Sequence, residues 1–211
     1  MLNKFYWFFV IFFIALTRTA ASALGETMTA KQTQEIKRIE NYFNQLTTMH
    51  SDFLQINSSG SIARGVVWIE RPGKMRLEYD PPSPVLITSD GGWVNYQDNE
   101  LKQSTQIPLI SSPLSVLLSK YISFADDLVI EDVHKSCNMI SLQLYQRGDS
   151  GQVKIIFAFQ ANPLLLKQWS IIDNNGSEIR IVLLNPVFGI SLPSKLWLPK
   201  DFGQKFGRPE D

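Results

Sequence analysis

An alternating stretch at residues 65–79 constrains the fold of this chain more than any other feature. Along its second half, apolar and charged residues alternate without a break, and the apolar positions are Met75, Leu77 and Tyr79. This period of two predicts a β-strand with one apolar and one solvated face. Pro72 and Gly73 lie at the centre of the preceding turn, where proline presets φ and glycine accepts a positive φ. We therefore predict a β-hairpin with Arg71 as a cation at the rim of its apolar face.

Short alternating runs separated by turn signals continue nearly to the end of the chain. They lie at residues 49–56, 85–88, 93–96, 101–105, 128–133, 139–145, 154–160, 165–172 and 178–184, and 195–199 is a candidate edge strand. With the hairpin they make about ten strands, a rhythm typical of an antiparallel meander. Such a sheet would curl, and two helices could cover its hollow side.

Two helices are predicted outside these runs. Thr29 caps the first, Gln32 completes a capping box, and an apolar stripe extends to about Leu46. The second begins with Ser112 in the cap position and Pro113 at the first helical residue. Its apolar face consists of Leu114, Leu117, Leu118 and Tyr121. A helix this short is unstable alone, which makes it a candidate moving part. From sequence, a helix packed on a core and a lid over a cavity look the same.

The N-terminus has the pattern of an export signal. Lys4 precedes an unbroken apolar run at residues 5–16, and Ala21 and Ala23 form a small-x-small cleavage site. The run is shorter than the roughly 20 residues that a membrane-spanning helix needs, with an uncleaved anchor as the alternative. No cysteine adjoins the run to accept a lipid. We expect residues 1–23 to be a cleaved signal peptide and residues 24–211 to form a single domain.

The composition favours a globular protein without catalytic chemistry. The 44% apolar and 19% charged residues are ordinary for a folded domain, and 20 basic residues balance 20 acidic ones. A nucleic-acid binder normally has a basic excess. The two histidines, His50 and His134, lie far apart, and no nucleophile elbow, zinc-binding motif or phosphate-binding loop is present. We expect no enzyme activity, no metal and no cofactor.

The single cysteine and the strand aromatics lead to two further expectations. Cys137 begins a strand-like run, which favours a small buried apolar residue, with an intermolecular disulfide as the alternative. Alternation also places a set of aromatic residues on an inward face: Phe53, Phe157, Phe159, Trp93 and Trp169. On pattern alone, a packed core that binds nothing is the commoner case.

Several motifs in this order and spacing resemble the outer-membrane lipoprotein carrier family (LolA). They are Phe53-Leu-Gln55, Gly65-x-x-Trp68-Ile-x-Arg71-Pro72-Gly-Lys-Met75-Arg76, Pro81, Ser89-Asp90-Gly91 and Pro113-Leu-x-x-Leu-Leu118. The resemblance covers essentially all of residues 24–211. It implies a mainly β (α+β) fold: a curved, incomplete antiparallel β-barrel, or half-barrel, with a helical lid over a hydrophobic cavity for acyl chains.

The resemblance also implies a binding site. The family's binding arginine falls on Arg71, while aromatic positions of the family fall on Met75 and Leu77, which are departures. The complete set of expected lipid- or lid-binding residues is Arg71, Met75, Leu77, Tyr79, Trp68, Trp93, Leu114, Leu117 and Leu118. Arg71 can donate to the terminal carbonyls of the short helix and so fasten it.

The implied function is that of a monomeric periplasmic carrier. Its expected partners are lipoproteins, an inner-membrane ABC transporter that releases them and an outer-membrane receptor that accepts them, with no role for nucleic acid. One alternative is an envelope sensor or scaffold that uses the same half-barrel to bind a protein. A membrane-attached receptor of this fold is disfavoured by the missing acceptor cysteine, and a lipid esterase by the lack of a recognisable nucleophile and base.

Overall fold

Eleven antiparallel strands form one open, curved sheet in the computed structural model, which describes residues 28–126, 128–148 and 153–199. The strands are β1 (Thr48–Asn57), β2 (Ile62–Glu70), β3 (Lys74–Tyr79), β4 (Val85–Asp90), β5 (Trp93–Asp98), β6 (Gln103–Pro108), β7 (Leu128–Ser136), β8 (Met139–Gln146), β9 (Lys154–Gln160), β10 (Leu165–Ile172) and β11 (Glu178–Phe188). Their order is β6-β5-β4-β3-β2-β1-β11-β10-β9-β8-β7, so β6 and β7 are the two edges. The predicted mainly β fold with an antiparallel meander is confirmed.

The first helix, α1 (Ala30–Gln45), starts as predicted. Thr29 and Gln32 form the capping box, in which the Thr29 backbone N–H donates to Gln32 Oε1 at 2.8 Å. Two side chains of its apolar stripe, Ile39 and Phe43, are fully buried on the inner face of the sheet. The helix therefore covers part of the concave side.

The second helix, α2 (Leu114–Leu118), lies in the connection between the two edge strands. It follows a 3₁₀ turn at Leu109–Ser111, and the Leu114 N–H donates to Ser112 Oγ at 3.3 Å. The predicted helix is present but begins one residue later than predicted, since Pro113 is the N-cap and Leu114 is the first of only five helical residues. Its predicted apolar face is wrong at Tyr121, which lies beyond the helix and is 70% exposed, while Val116 is buried instead.

The C-terminal segment lies across the outer face of the sheet. The 3₁₀ turn Ser194–Trp197 places the Trp197 ring 5.9 Å from Lys74 Nζ, and Arg76 Nη1 donates to the Leu196 carbonyl at 3.4 Å. The predicted edge strand at 195–199 is therefore wrong. The apolar residues Leu196, Trp197 and Leu198 are consecutive and do not alternate with polar ones. Trp197 packs against the face of the sheet, whereas an edge strand would pair with β6 or β7.

Three further expectations for the strands need correction. Cys137, predicted to be buried, is exposed in the turn between β7 and β8, with φ at 49°, because β8 begins at Met139, two residues after it. Strand β11 was expected to end at Leu184 but continues to Phe188. Its pairing with β1 is irregular between His50 and Asp52, which accommodates Pro186 within the strand. Strand β6 starts at Gln103, which leaves Leu101 in the preceding turn. The expectations for residues 1–23 and 200–211 lie outside the described residues.

Candidate functional site

The hairpin turn between β2 and β3 holds the C-terminal end of α2. The Arg71 side chain donates twice to the Ser119 carbonyl, with Nε at 2.9 Å, and once to the Leu46 carbonyl at 3.3 Å. The Gly73 N–H donates to the Leu118 carbonyl at 2.8 Å. These carbonyls have no partner within the helix, because the last turn of any helix leaves its C=O groups free. One turn of the sheet thus caps the short helix.

The guanidinium of Arg71 is half-buried beside carbonyls. None of the ion pairs among the described residues includes Arg71. Burial lowers the pKa of its guanidinium to about 10, so the group remains charged at neutral pH. Hydrogen bonds from a charged donor are stronger than neutral ones. Arg71 makes only three of them within the part of the chain that the structure describes, so a movement of the segment at Ser119 would break most of this contact.

Gly73 is required at its place in this turn. Its φ is +81°, and a Cβ would lie 2.6 Å from Gly91 Cα in the neighbouring turn. The Ser89 hydroxyl donates to the Gly73 carbonyl at 2.7 Å. Two adjacent hairpin turns are therefore packed backbone against backbone, which fixes the position from which Arg71 reaches α2.

Polar residues of α1 hold the segment that follows α2. The Ile122 N–H donates to Asn44 Oδ1 at 2.9 Å, and Asn44 Nδ2 donates back to the Ile122 carbonyl at 3.0 Å. The Phe124 N–H donates to Glu40 Oε2 at 2.9 Å. Neither Glu40 nor Asn44 was predicted as a contact residue, although their spacing of four places them on one face of α1.

An apolar cavity of about 600 Å³ lies on the concave side next to α2. Its size falls within the range of about 300–1,000 Å³ that is usual for ligand pockets. Most of its lining is aliphatic or aromatic, from β3–β6 on one side and from β10 and β11 on the other: Met75, Leu77, Val85, Ile87, Val94, Tyr96, Ile107, Leu114, Trp169, Ile171, Ile179 and Ile181. The inner face of the sheet is therefore not completely filled by side chains.

The end of this cavity away from α2 carries a chain of hydrogen bonds. The Tyr79 hydroxyl donates to Gln55 Oε1, and Gln55 Nε2 donates to Asn57 Oδ1 at 2.9 Å. Burial, with a smaller effect of Tyr96, raises the pKa of Tyr79 to about 12, so its hydroxyl stays neutral. Gln55 and Asn57 were not predicted as lining, although they alternate with Phe53 on the same face of β1. The cavity is apolar beneath α2 and polar at its far end.

A second cavity, of about 800 Å³, lies on the other side of the same segment. Ser115, Val116 and Ser119 contribute to its wall, and its floor includes Ile155. Ile155 pairs across the strands with Ile171, which lines the first cavity. One row of sheet residues therefore runs beneath both cavities, and the segment around α2 separates them.

The predicted site residues fall into three groups. Met75, Leu77, Tyr79 and Leu114 line the apolar cavity. Leu117 and Leu118 belong to α2 and are buried in the hydrophobic core. Arg71 binds the carbonyl of Ser119 at the C-terminal end of that helix.

Two predicted site residues, Trp68 and Trp93, are on the outer face of the sheet, and their assignment to the cavity is wrong. Trp68 alternates with the buried Val67 and Ile69 and stacks on His50, with 5.4 Å between ring centroids and 25° between planes. Trp93 precedes the inward-facing Val94 and is 43% exposed. The period of two separates faces, but it does not say which one is concave. The other strand aromatics, Phe53, Phe157, Phe159 and Trp169, are buried on the inner face.

The described residues contain no cluster of three or more His, Cys, Asp or Glu side chains placed to hold a metal. Among the same residues, no helix has the length and apolar character needed to cross a membrane.

The fold and the site define a β-sheet protein with an open antiparallel sheet and an apolar cavity on its concave side. Residues 44–197 match the family model described as outer membrane lipoprotein carrier protein LolA. The chain belongs to this family, and the resemblance inferred from the motifs is confirmed. The family description is that of a carrier and names no reaction.

Individual relatives agree with this assignment at modest identity. The chain is 29% identical over 175 residues to an outer-membrane lipoprotein carrier protein of Methylococcus capsulatus, covering 79% of this chain and 83% of the relative. It is 26% identical over 155 residues to a protein of the same description from Dechloromonas aromatica, covering 69% and 74%. A crystal structure of a LolA superfamily protein from Nitrosomonas europaea aligns with a TM-score of 0.46 at 9% identity, covering 77% of this chain and 97% of that one.

Proposed function

We propose that this protein is a periplasmic carrier that binds the acyl chains of lipoproteins released from the inner membrane and delivers them to an outer-membrane receptor. An ABC transporter would load it. The observation that carries the proposal is the apolar cavity next to a helix held by one arginine and one backbone N–H. Membership of the carrier family supports it.

The energetics of acyl chains fit such a cavity. Each methylene kept from water is worth about 0.8 kcal/mol, so a multiply acylated protein cannot cross an aqueous space unaided. Aliphatic walls make weak, non-directional contacts that can be exchanged gradually for those of a receptor. The polar chain of Tyr79, Gln55 and Asn57 provides hydrogen-bonding groups at the end of the cavity away from α2, so the acyl chains are expected to lie along the aliphatic part.

Helix α2 would act as the lid of this carrier. Its hold on the sheet combines the buried Leu117 and Leu118 with the bonds from Arg71 and Gly73. Moving α2 outward would join the two cavities, because the same row of sheet residues forms the floor of both. The joined space would accept more than one chain.

A displacement assay tests the binding half of the proposal. An apolar dye that fluoresces out of water should bind the protein and be displaced by a triacylated lipopeptide. Ile87→Trp fills the cavity from β4 and should weaken lipopeptide binding several-fold, whereas Val66→Trp, on the outer face of β2, should leave it unchanged. Equal binding by both variants would contradict the cavity as the site. Failure to bind any lipopeptide, with capture of a defined envelope protein, would support the sensor or scaffold alternative.

A transfer assay tests the delivery half. Arg71→Leu removes the donors to the Ser119 and Leu46 carbonyls. We expect this variant to stay folded and to retain cargo or fail to close, so that less lipoprotein passes from inner-membrane vesicles to outer-membrane vesicles. Normal transfer by Arg71→Leu would refute the proposed role of the arginine as a latch.

A further inference from the structure

We propose that the free edge of β6 pairs with the peptide that follows the acylated N-terminal residue of a cargo lipoprotein, adding it to the sheet as an extra strand. This inference rests on the proposed function, since the peptide lies beside β6 only if the acyl chains attached to it are bound in the apolar cavity. It assigns a peptide-binding surface to a strand that otherwise ends the sheet.

The two edges of the sheet differ in their protection. Strand β7 carries charged residues, among them Glu131 and Asp132, and its pairing is irregular between Ile130 and Asp132. Charges and bulges are the usual devices by which an edge strand avoids pairing with another chain. Strand β6, with the sequence Gln-Ser-Thr-Gln-Ile-Pro, has no charged residue, its register with β5 is regular, and its only proline is the last residue. Of the two, β6 is the edge open to strand addition.

The β6 edge adjoins the apolar cavity. Thr105 and Ile107 of β6 line the cavity, and Ile107 is 43% exposed. Tyr96 of β5, which pairs with Thr105 and also lines the cavity, is 47% exposed. The cavity therefore opens along this edge. When acyl chains occupy the cavity, the residue that bears them lies at its opening, and the peptide that follows begins beside β6.

Backbone pairing suits a carrier of varied cargo. Strand addition draws its affinity from main-chain hydrogen bonds, which do not depend on the peptide's sequence. The six residues of β6 extend over about 20 Å and match a peptide of similar length. Such a peptide would bind weakly alone, but anchored acyl chains raise its effective concentration at the edge.

Three matched ligands test this inference on the wild-type protein. The first is a triacylated cysteine amide without further residues, the second carries a six-residue uncharged peptide, and the third carries the same peptide with N-methylated backbone amides, which cannot complete a β-ladder. We expect the second to bind about tenfold more tightly than the third, as two or three hydrogen bonds would give. Hydrogen exchange at residues 103–108 should slow when the second ligand is bound and should not change when the first or the third ligand is bound.

The outcomes separate this inference from the proposed function. Equal affinity of the second and third ligands, with no protection at residues 103–108, would overturn strand addition while leaving acyl binding intact. No binding of the first ligand would overturn the proposed function itself. Protection of β6 in the free protein, together with a dimer in sedimentation, would assign the edge to a second copy of this chain and overturn the cargo assignment.

Discussion

The concave side of the sheet has a filled half and a hollow half. In the filled half, α1 packs on β8–β10 through aromatic contacts, with Phe43 4.9 Å from Phe157 and Tyr42 5.5 Å from Phe159 between ring centroids. The hollow half lies on both sides of α2. The inner faces of β3–β6 leave a cavity of about 600 Å³ there, and a second cavity of about 800 Å³ extends to Ile155 of β9. The same sheet thus supports a close-packed core and an open space.

The two helices differ in how they are attached. Helix α1 has 16 residues and a capping box, and large side chains from it fill the space above the sheet. Helix α2 has five residues, with cavities on both sides of its segment, and polar bonds from one turn hold its end. Both helices bury apolar side chains, among them Leu117 and Leu118 of α2, so the difference lies in the surrounding space. Side chains of α1 fill the volume beneath it, whereas α2 has empty volume on both sides. The difference supports the proposal that α2 is the lid and that α1 is a structural element.

The largest effect is expected from breaking the filled half. Phe43→Ala should lower the free energy of unfolding by about 3–5 kcal/mol, because a buried phenyl ring leaves a cavity that its neighbours cannot close. Leu77→Ala, in the wall of the hollow half, should cost about 2 kcal/mol, since the leucine already lacks contacts on one side. Urea unfolding of both variants measures the difference. Equal losses would show that the two halves are equally packed.

A smaller effect is expected from releasing α2. Arg71→Leu should lower the free energy of unfolding by about 1–3 kcal/mol, since two buried carbonyls lose their donors. It should also accelerate hydrogen exchange at residues 114–119.

Arg38→Leu is the matched control for Arg71→Leu. Arg38 also donates to a carbonyl, that of Ala161, but it lies in the filled half. Exchange at residues 114–119 should not change in this variant. Acceleration in both variants would mean that α2 responds to general destabilisation and not to its own latch.

The smallest effect concerns pH. Burial raises the pKa of Tyr79 to about 12, above its unfolded value near 10, so its contribution to stability is present below pH 10 and is lost as the pH rises to 12. The loss is at most about 3 kcal/mol, since the two pKa values differ by about two units. Tyr79→Phe should flatten the decline of the melting temperature over this interval.

Tyr42→Phe allows the same comparison in the filled half. Burial raises the pKa of Tyr42 as well, so this variant should also flatten the alkaline decline. An unchanged decline in Tyr79→Phe would show that the hydroxyl at the polar end of the cavity is solvated in solution.

Local patterns anticipated much of the fold, and tertiary contacts account for the errors. The capping box at Thr29, the turn at Gly73 and the strands at 154–160 and 165–172 were predicted because each depends on a few neighbouring residues. Cys137 was predicted to be buried in a strand but is exposed in a turn, because a small change in where a strand begins moves a side chain from the strand into the turn.

The candidate site was only partly predictable. Alternation identified Met75, Leu77 and Tyr79 as one face, and the family resemblance pointed to Arg71, whose carbonyl partners are observed. The partners of Arg71 come from chain positions far from it in sequence, and Asn44 contacts Ile122 across a similar separation. No local pattern records such pairs.

The sequence alone determined the type and approximate position of most strands, turns and helices, because hydrophobic periodicity and backbone preference act over a few residues. Tertiary structure alone decided which face of the sheet became concave and how far the helices fill it. Trp68 and Trp93 obey the same alternation as Met75, yet they lie on the opposite face, where the polar Thr88 and Asn95 are also buried. Whether a face becomes core, cavity or outer surface depends on the volume that distant segments place upon it.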